Sequence, residues 1–190
     1  MTRACALFMA LMAFAPTAWA DDWQVIMPES NLSFTAAQAG TAFTGGFGQF
    51  GATISFNPDH PEAAHVRAEV DLLSATTGSD DRDSALQSPI WFGTDAFPKA
   101  IYEATGFKSL GDNRFETEGT LTLKGITAPL ALQFTLKIDG DIAHATGGTE
   151  IVRTNFNVGS GDFESGKWIS KAVEVQLTLT ARRTSTGEAP

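Results

Sequence analysis

RFETEGTLTLKGITAPLALQFTLKI, residues 114–138, decides the fold class. Its first half places Phe115, Thr117, Gly119, Leu121 and Leu123 on one side, and Arg114, Glu116, Glu118, Thr120, Thr122 and Lys124 on the other. A period of two is the pleat of a half-buried β-strand. The second half repeats it with Leu130, Leu132, Phe134, Leu136 and Ile138, closed by Asp139-Gly140-Asp141, and residues 125–129 between the halves read as the turn. Two neighbouring one-sided strands form an antiparallel pair whose apolar face still has to be covered.

The same pattern extends outward in both directions. Residues 23–27 read as a first strand ending at Pro28, and Leu32, Phe34 and Ala36 share one face of the next. Phe43, Phe47 and Phe50 are then spaced among Gly40, Gly45, Gly46, Gly48 and Gly51, and glycine permits the bulges and coiling that barrel closure needs. Phe50, Ala52, Ile54 and Phe56 alternate cleanly; Val66, Ala68, Val70 and Leu72 oppose His65, Arg67, Glu69 and Asp71. Residues 101–107 form a less regular strand, residues 142–158 a weaker one with a break at Gly147-Gly148, and Val173, Val175, Leu177, Leu179 and Ala181 the last. About eight one-sided strands joined by short turns predict an all-β chain closed as an antiparallel eight-stranded β-barrel. A two-sheet sandwich is the competing architecture, disfavoured by long strands and irregular turn spacing.

One stretch breaks the alternation: residues 78–104, GSDDRDSALQSPIWFGTDAFPKAIYEA. Ser79 and Asp80 suit a helix start, and Asp80, Asp81 and Asp83 crowd the first turn, where the helix dipole favours negative charge. Leu86 and Ile90 fall one turn apart, Pro89 cuts the helix before Trp91-Phe92, and Phe97-Pro98 returns the chain to extended geometry. The reading is a short helix near residues 80–92 that plugs or lids one end of the barrel.

Arg3, the apolar run 4–15 and the ending Ala18-Trp19-Ala20 have the layout of a signal peptide cleaved after residue 20, leaving residues 21–190 as one domain. The only cysteine, Cys5, precedes the apolar run and does not fit a lipoprotein leader. The net charge of -9 becomes -10 once Arg3 is removed. That balance disfavours nucleic acid and anionic lipid surfaces, and a cysteine-free exported domain relies on a packed core. The expectation is a periplasmic protein without stable membrane insertion; a homodimer is allowed.

Catalytic and metal patterns are weak. His60, His65 and His144 are scattered without ligand spacing. Asp80, Asp81 and Asp83 surround Arg82, which fits helix-start pairing better than a cation site. Thr44-Gly45-Gly46 lacks the setting of a phosphate loop, and no nucleophile has a base beside it in sequence. The inward faces mix Phe34, Phe50, Ile54, Phe115, Leu121 and Phe134 with Ala36, Ala52, Ala68 and Gly119. Such alternation fits both a tapered solid core and a lined pocket.

An ordered series of motifs carries a resemblance. It runs from Phe47-Gly48-Gln49-Phe50 and Ile54-Ser55-Phe56-Asn57-Pro58 through Thr77-Gly78, Arg82-Asp83, Leu86, Trp91-Phe92 and Phe97-Pro98. It ends in Gly119-Thr120-Leu121-Thr122-Leu123-Lys124-Gly125-Ile126-Thr127 and Arg153-Thr154-Asn155-Phe156. The chain resembles the YceI-like family of periplasmic polyisoprenoid-binding proteins over essentially its whole mature length. The resemblance implies an extended, lipocalin-like barrel whose apolar pore holds a polyisoprenoid or isoprenoid-quinone-like lipid, a carrier rather than an enzyme, with no cofactor. Many members carry histidine where this chain has Ala85, so a headgroup contact from that position does not transfer. Candidate pore and lid residues are Phe34, Phe50, Ile54, Val70, Leu86, Ile90, Trp91, Phe92, Phe97, Phe115, Leu121, Phe134 and Leu136, with Arg82 as a headgroup contact. Two alternatives stand beside it: a lipid-modifying enzyme with Asp81 or Asp83 as base at the pore mouth, and a solid-cored adaptor of an envelope or membrane redox complex.

Overall fold

The computed structural model describes residues 21–184. The expected signal peptide, residues 1–20, lies outside the described residues. In chain order the strands are β1 (Asp22–Val25), β2 (Asn31–Gln38), β3 (Thr41–Phe47), β4 (Phe50–Ser55), β5 (His65–Asp71), β6 (Ala75–Thr76), β7 (Lys99–Thr105), β8 (Lys108–Gly111), β9 (Arg114–Leu123), β10 (Ile126–Asp139), β11 (Ile142–Val152) and β12 (Ala172–Thr184). One helix, α1 (Asp80–Gln87), falls between β6 and β7.

All strand pairs are antiparallel, and the ring β1-β4-β5-β7-β9-β10-β11-β12 closes where β12 returns to β1. The chain is therefore an eight-stranded barrel, as the alternation requires. Some staves are built from two strands each. β1 and β2 both pair with β12, β1 through Ala181 to Thr184 and β2 through Glu174 to Thr178. β3 pairs with β6 above the β4 and β5 ladder. Ser30 Oγ bridges the break between β1 and β2, donating to Ile26 O at 2.9 Å and accepting from Thr180 N at 3.1 Å.

The turn expected across residues 125–129 shrinks to Lys124-Gly125, and β10 runs straight through Pro129. Pro129 pairs with Thr120 of β9, while β10 meets β11 only from Gln133 onward. A proline is tolerated there because its missing N–H leaves no ladder bond unmade on the unpaired side. The break expected at Gly147-Gly148 does not exist either. Both lie inside β11, and a Cβ at Gly147 would come within 2.5 Å of Gln133 O, one at Gly148 within 2.7 Å of Val175 O. These glycines mark close strand approach.

The two ends differ. At the floor, Phe56 packs edge-on against Phe107 and Phe115 at 5.5 and 5.3 Å, Phe115 stacks on Phe134 at 5.6 Å, and Trp23 Nε1 donates to Phe56 O at 2.9 Å. At the cap, α1 and residues 88–98 meet the β9–β10 turn and the β11–β12 connection. The Ser79 side chain makes no cap bond, contrary to the sequence reading. Asp83 reaches back instead, accepting from Thr77 N at 2.7 Å and from the hydroxyls of Thr77 and Thr76 at 2.6 and 2.9 Å. α1 ends at Gln87 and buries no residue, so Ile90 is not on it; the apolar cover comes from the turns after it, where Phe92 is buried.

Candidate functional site

A cavity of about 330 Å³ occupies the barrel between floor and cap. Every second residue of β12 from Val173 to Ala181 lines it. Those eight steps make about 27 Å of strand at ~3.4 Å each, or about 20 Å along the axis after strand tilt. The space is long and narrow. Its small residues are Ala36, Gly51, Ala52, Ala68, Ala100 and Ala145 among others, so the alternation of large and small leaves volume along the axis.

Of the candidates, Phe34, Phe50, Ile54, Val70, Leu86, Trp91, Phe92, Leu121, Phe134 and Leu136 line this cavity. Three do not. Phe115 belongs to the aromatic floor, 4% exposed. Ile90 and Phe97 point outward, with Phe97 covering Gly125, whose φ of +75° a side chain would strain. Arg82 is also off the cavity. Its Nε donates to Thr77 Oγ1 at 3.1 Å and its guanidinium lies 4.9 Å over Phe43, in place of an ion pair with Asp80 or Asp83. The Thr77 hydroxyl, ahead of the other contacts, holds the Asp83 carboxyl below the usual range, and neither Asp81 nor Asp83 reaches the cavity. Among the described residues no three His, Cys, Asp or Glu side chains converge on one point.

Three polar residues border the cavity, Tyr102, Thr149 and Arg153, and none exposes a polar atom to it. Gly119 leaves room for Tyr102, since a Cβ there would sit 2.5 Å from the phenol oxygen. The phenol donates to Leu130 O at 3.2 Å. Burial pushes its pKa up to about 12.

Arg153 is 3% exposed and spends its donors on backbone carbonyls. Nε donates to Ser170 O at 2.9 Å, Nη1 to Val158 O and Gly159 O at 2.7 and 3.0 Å, and Nη2 to Ile169 O at 2.8 Å and to Phe163 O. It forms no ion pair among the described residues, and burial lowers its pKa. A full positive charge is thus buried beside the cap end of an apolar cavity, its five donors all taken by backbone carbonyls and no polar atom of it opening onto the cavity. Trp91 stands against it, with the guanidinium 5.3 Å from its ring and Phe163 at 5.2 Å. Lys124 Nζ ties the same region together, donating to Ile90 O at 3.1 Å and Asn157 O at 2.7 Å. The sequence reading quoted Arg153 as a motif residue but not as part of the site. Its partners are carbonyls, which leave no mark in side-chain identity.

Comparison with known proteins agrees with this architecture. The chain is 30% identical over 137 residues to Protein YceI of Shigella flexneri, covering 70% of this chain and 71% of the relative. It is 30% identical over 148 residues to a UPF0312 protein of Shewanella oneidensis, covering 74% and 73%. The fold matches Burkholderia cenocepacia BcnA with a TM-score of 0.79 at 23% identity, over 82% of this chain and 98% of that one. It matches a polyisoprenoid binding domain from Saccharophagus degradans with a TM-score of 0.70 at 16% identity, over 86% and 99%. The YceI-like domain model matches residues 23–181, nearly the whole barrel, and the chain belongs to the YceI-like family.

Proposed function

We propose that this protein is a periplasmic carrier that holds a polyisoprenoid or isoprenoid-quinone-like lipid in its barrel, tail toward the aromatic floor and polar end toward the cap. The observation that carries the reading is the long cavity whose exposed lining is wholly apolar. Each 100 Å² of apolar tail withdrawn from water contributes about 2.5 kcal/mol, so a prenyl chain is held without directional contacts, against the cost of immobilising it. Arg153 has no donor left for a ligand, but its charge is paired with no anion among the described residues, and its field favours an electron-rich head such as a quinone carbonyl or a phosphate at the cap end.

Binding rather than catalysis fits the chemistry of the wall. Tyr102 and Arg153 are committed to backbone carbonyls, which suits positioning and not proton transfer. The resemblance of the fold to a polyisoprenoid binding domain supports the same ligand class. Native mass spectrometry of the chain recovered from a periplasmic extract tests it. A co-purifying hydrophobic mass, displaced by added isoprenoid quinone or polyprenyl phosphate, is expected. Empty protein that stays empty after incubation with both lipids overturns it.

A further inference from the structure

The cap has an outer face as well as an inner one. Among the described residues, the large hydrophobic side chains that stay exposed are Leu73, Ile90, Phe97, Val152 and Trp168. All five lie at the cap end. Leu73 is in the single turn between β5 and β6, Ile90 and Phe97 follow α1, and Val152 ends β11. Trp168 lies in the β11–β12 connection, its carbonyl accepting from Ala39 N at the β2–β3 tip at 2.8 Å. Single exposed hydrophobics need no explanation, but five confined to one end of a barrel do.

Charge divides along the same line. Residues 72–98, 124–125 and 153–171 hold five basic and six acidic side chains, whereas the other described residues hold seven and fifteen. The body carries the negative excess and the cap is nearly neutral. An anionic lipid surface therefore repels the body of this molecule more than the cap, and a zwitterionic one leaves the apolar cap side chains to decide the orientation. Lys167 Nζ lies 5.1 Å over the Trp168 ring, and indoles and lysines are the side chains that settle at headgroup level.

We propose that this end of the barrel is a docking surface for a phospholipid bilayer, inserting Ile90, Phe97 and Trp168 to headgroup depth so that the capped end of the cavity faces the lipid. The inference rests on the reading of the cavity as a lipid site, because the guest of such a cavity resides in a bilayer. The proposed association is peripheral, limited to three side chains at headgroup depth; no described helix is long and apolar enough to cross a membrane.

The test uses the chain from Asp21 onward with phosphatidylcholine vesicles whose acyl chains carry bromine, a quencher of indole emission. Trp23 is buried and Trp91 faces the cavity, so Trp168 is the indole that vesicles can reach from outside. The expected result is co-sedimentation with quenching confined to the emission that Trp168→Phe removes. The triple variant Ile90→Ser, Phe97→Ser, Trp168→Ser, which alters no cavity-lining residue, should lower vesicle binding at least about tenfold from the lost apolar insertion. Leu73→Ser with Trp168→Ser carries the same test if the triple variant does not fold. Wild-type protein that stays in the supernatant overturns the proposal. So does equal binding by a folded variant, or self-association through this face in place of vesicle binding. Native mass spectrometry on the same samples separates the two readings. Lipid-loaded protein that ignores vesicles overturns the docking surface alone, and vesicle binding through this face by protein that never loads overturns the carrier reading alone.

Discussion

Tyr102 is the only tyrosine of the chain, so its ionisation can be followed by ultraviolet absorbance without interference from another phenol. Burial pushes its pKa from 10.0 to about 12, opposed by the Gly119 backbone. Two pKa units correspond to about 2.7 kcal/mol between protonation states, and solvent screening of a partly exposed group reduces the stability equivalent to about 1–2 kcal/mol. The raised pKa means that the folded chain holds this proton more tightly than the unfolded one. Its contribution is complete below pH 10 and is lost as pH rises through about 12. A native absorbance titration should show one midpoint well above that of the same chain in denaturing urea. Urea unfolding should lose about 1–2 kcal/mol more between pH 10 and 12 in the wild type than in Tyr102→Phe. A native midpoint at 10 would mean that water reaches the phenol freely, and the dry interior at that height would be refuted.

Trp91→Ala should cost about 2 kcal/mol of stability, half the usual value for a fully buried aromatic, while lowering lipid affinity per folded molecule at least tenfold. Unchanged affinity beside a collapsed melting temperature, read by calorimetry and native mass spectrometry, would make Trp91 a packing residue only. Arg153→Met strips the hydrogen bonds from the carbonyls of Val158, Gly159, Phe163, Ile169 and Ser170, and should cost about 3 kcal/mol or more in urea unfolding. Arg153→Lys should recover part of that loss, because an ammonium offers three donors where the guanidinium offers five.

The wall was legible because its physics is local. Side chains in β9, β10 and β12 alternate between core and water within the strand itself, so the face each residue takes can be read from its neighbours. Misreadings of the wall have a common cause in partner strands. Pro129 is compatible with β10 only because β11 has diverged by that height, and Gly147 is required in β11 by Gln133 and Phe134 of β10. Neither neighbour is visible in the segment alone.

The cap was legible as a departure from alternation and no further, for a different reason. Its geometry is set by bonds to main-chain carbonyls, and the Ile90 carbonyl alone accepts from Gly159 N, Ser160 N and Lys124 Nζ. A carbonyl is present at every residue, so nothing in the sequence marks Ile90 as the point where residues 88–98 and the β11–β12 connection are joined. The same bonding explains how Ile90 can present its side chain to solvent at 47% exposure and still be central to the cap. Its backbone meets the structural demand, which leaves the side chain free to contact what lies outside. Alone, an exposed Ile90 would need no explanation; together with Leu73, Phe97, Val152 and Trp168 at the same end, it favours an external apolar partner for the cap.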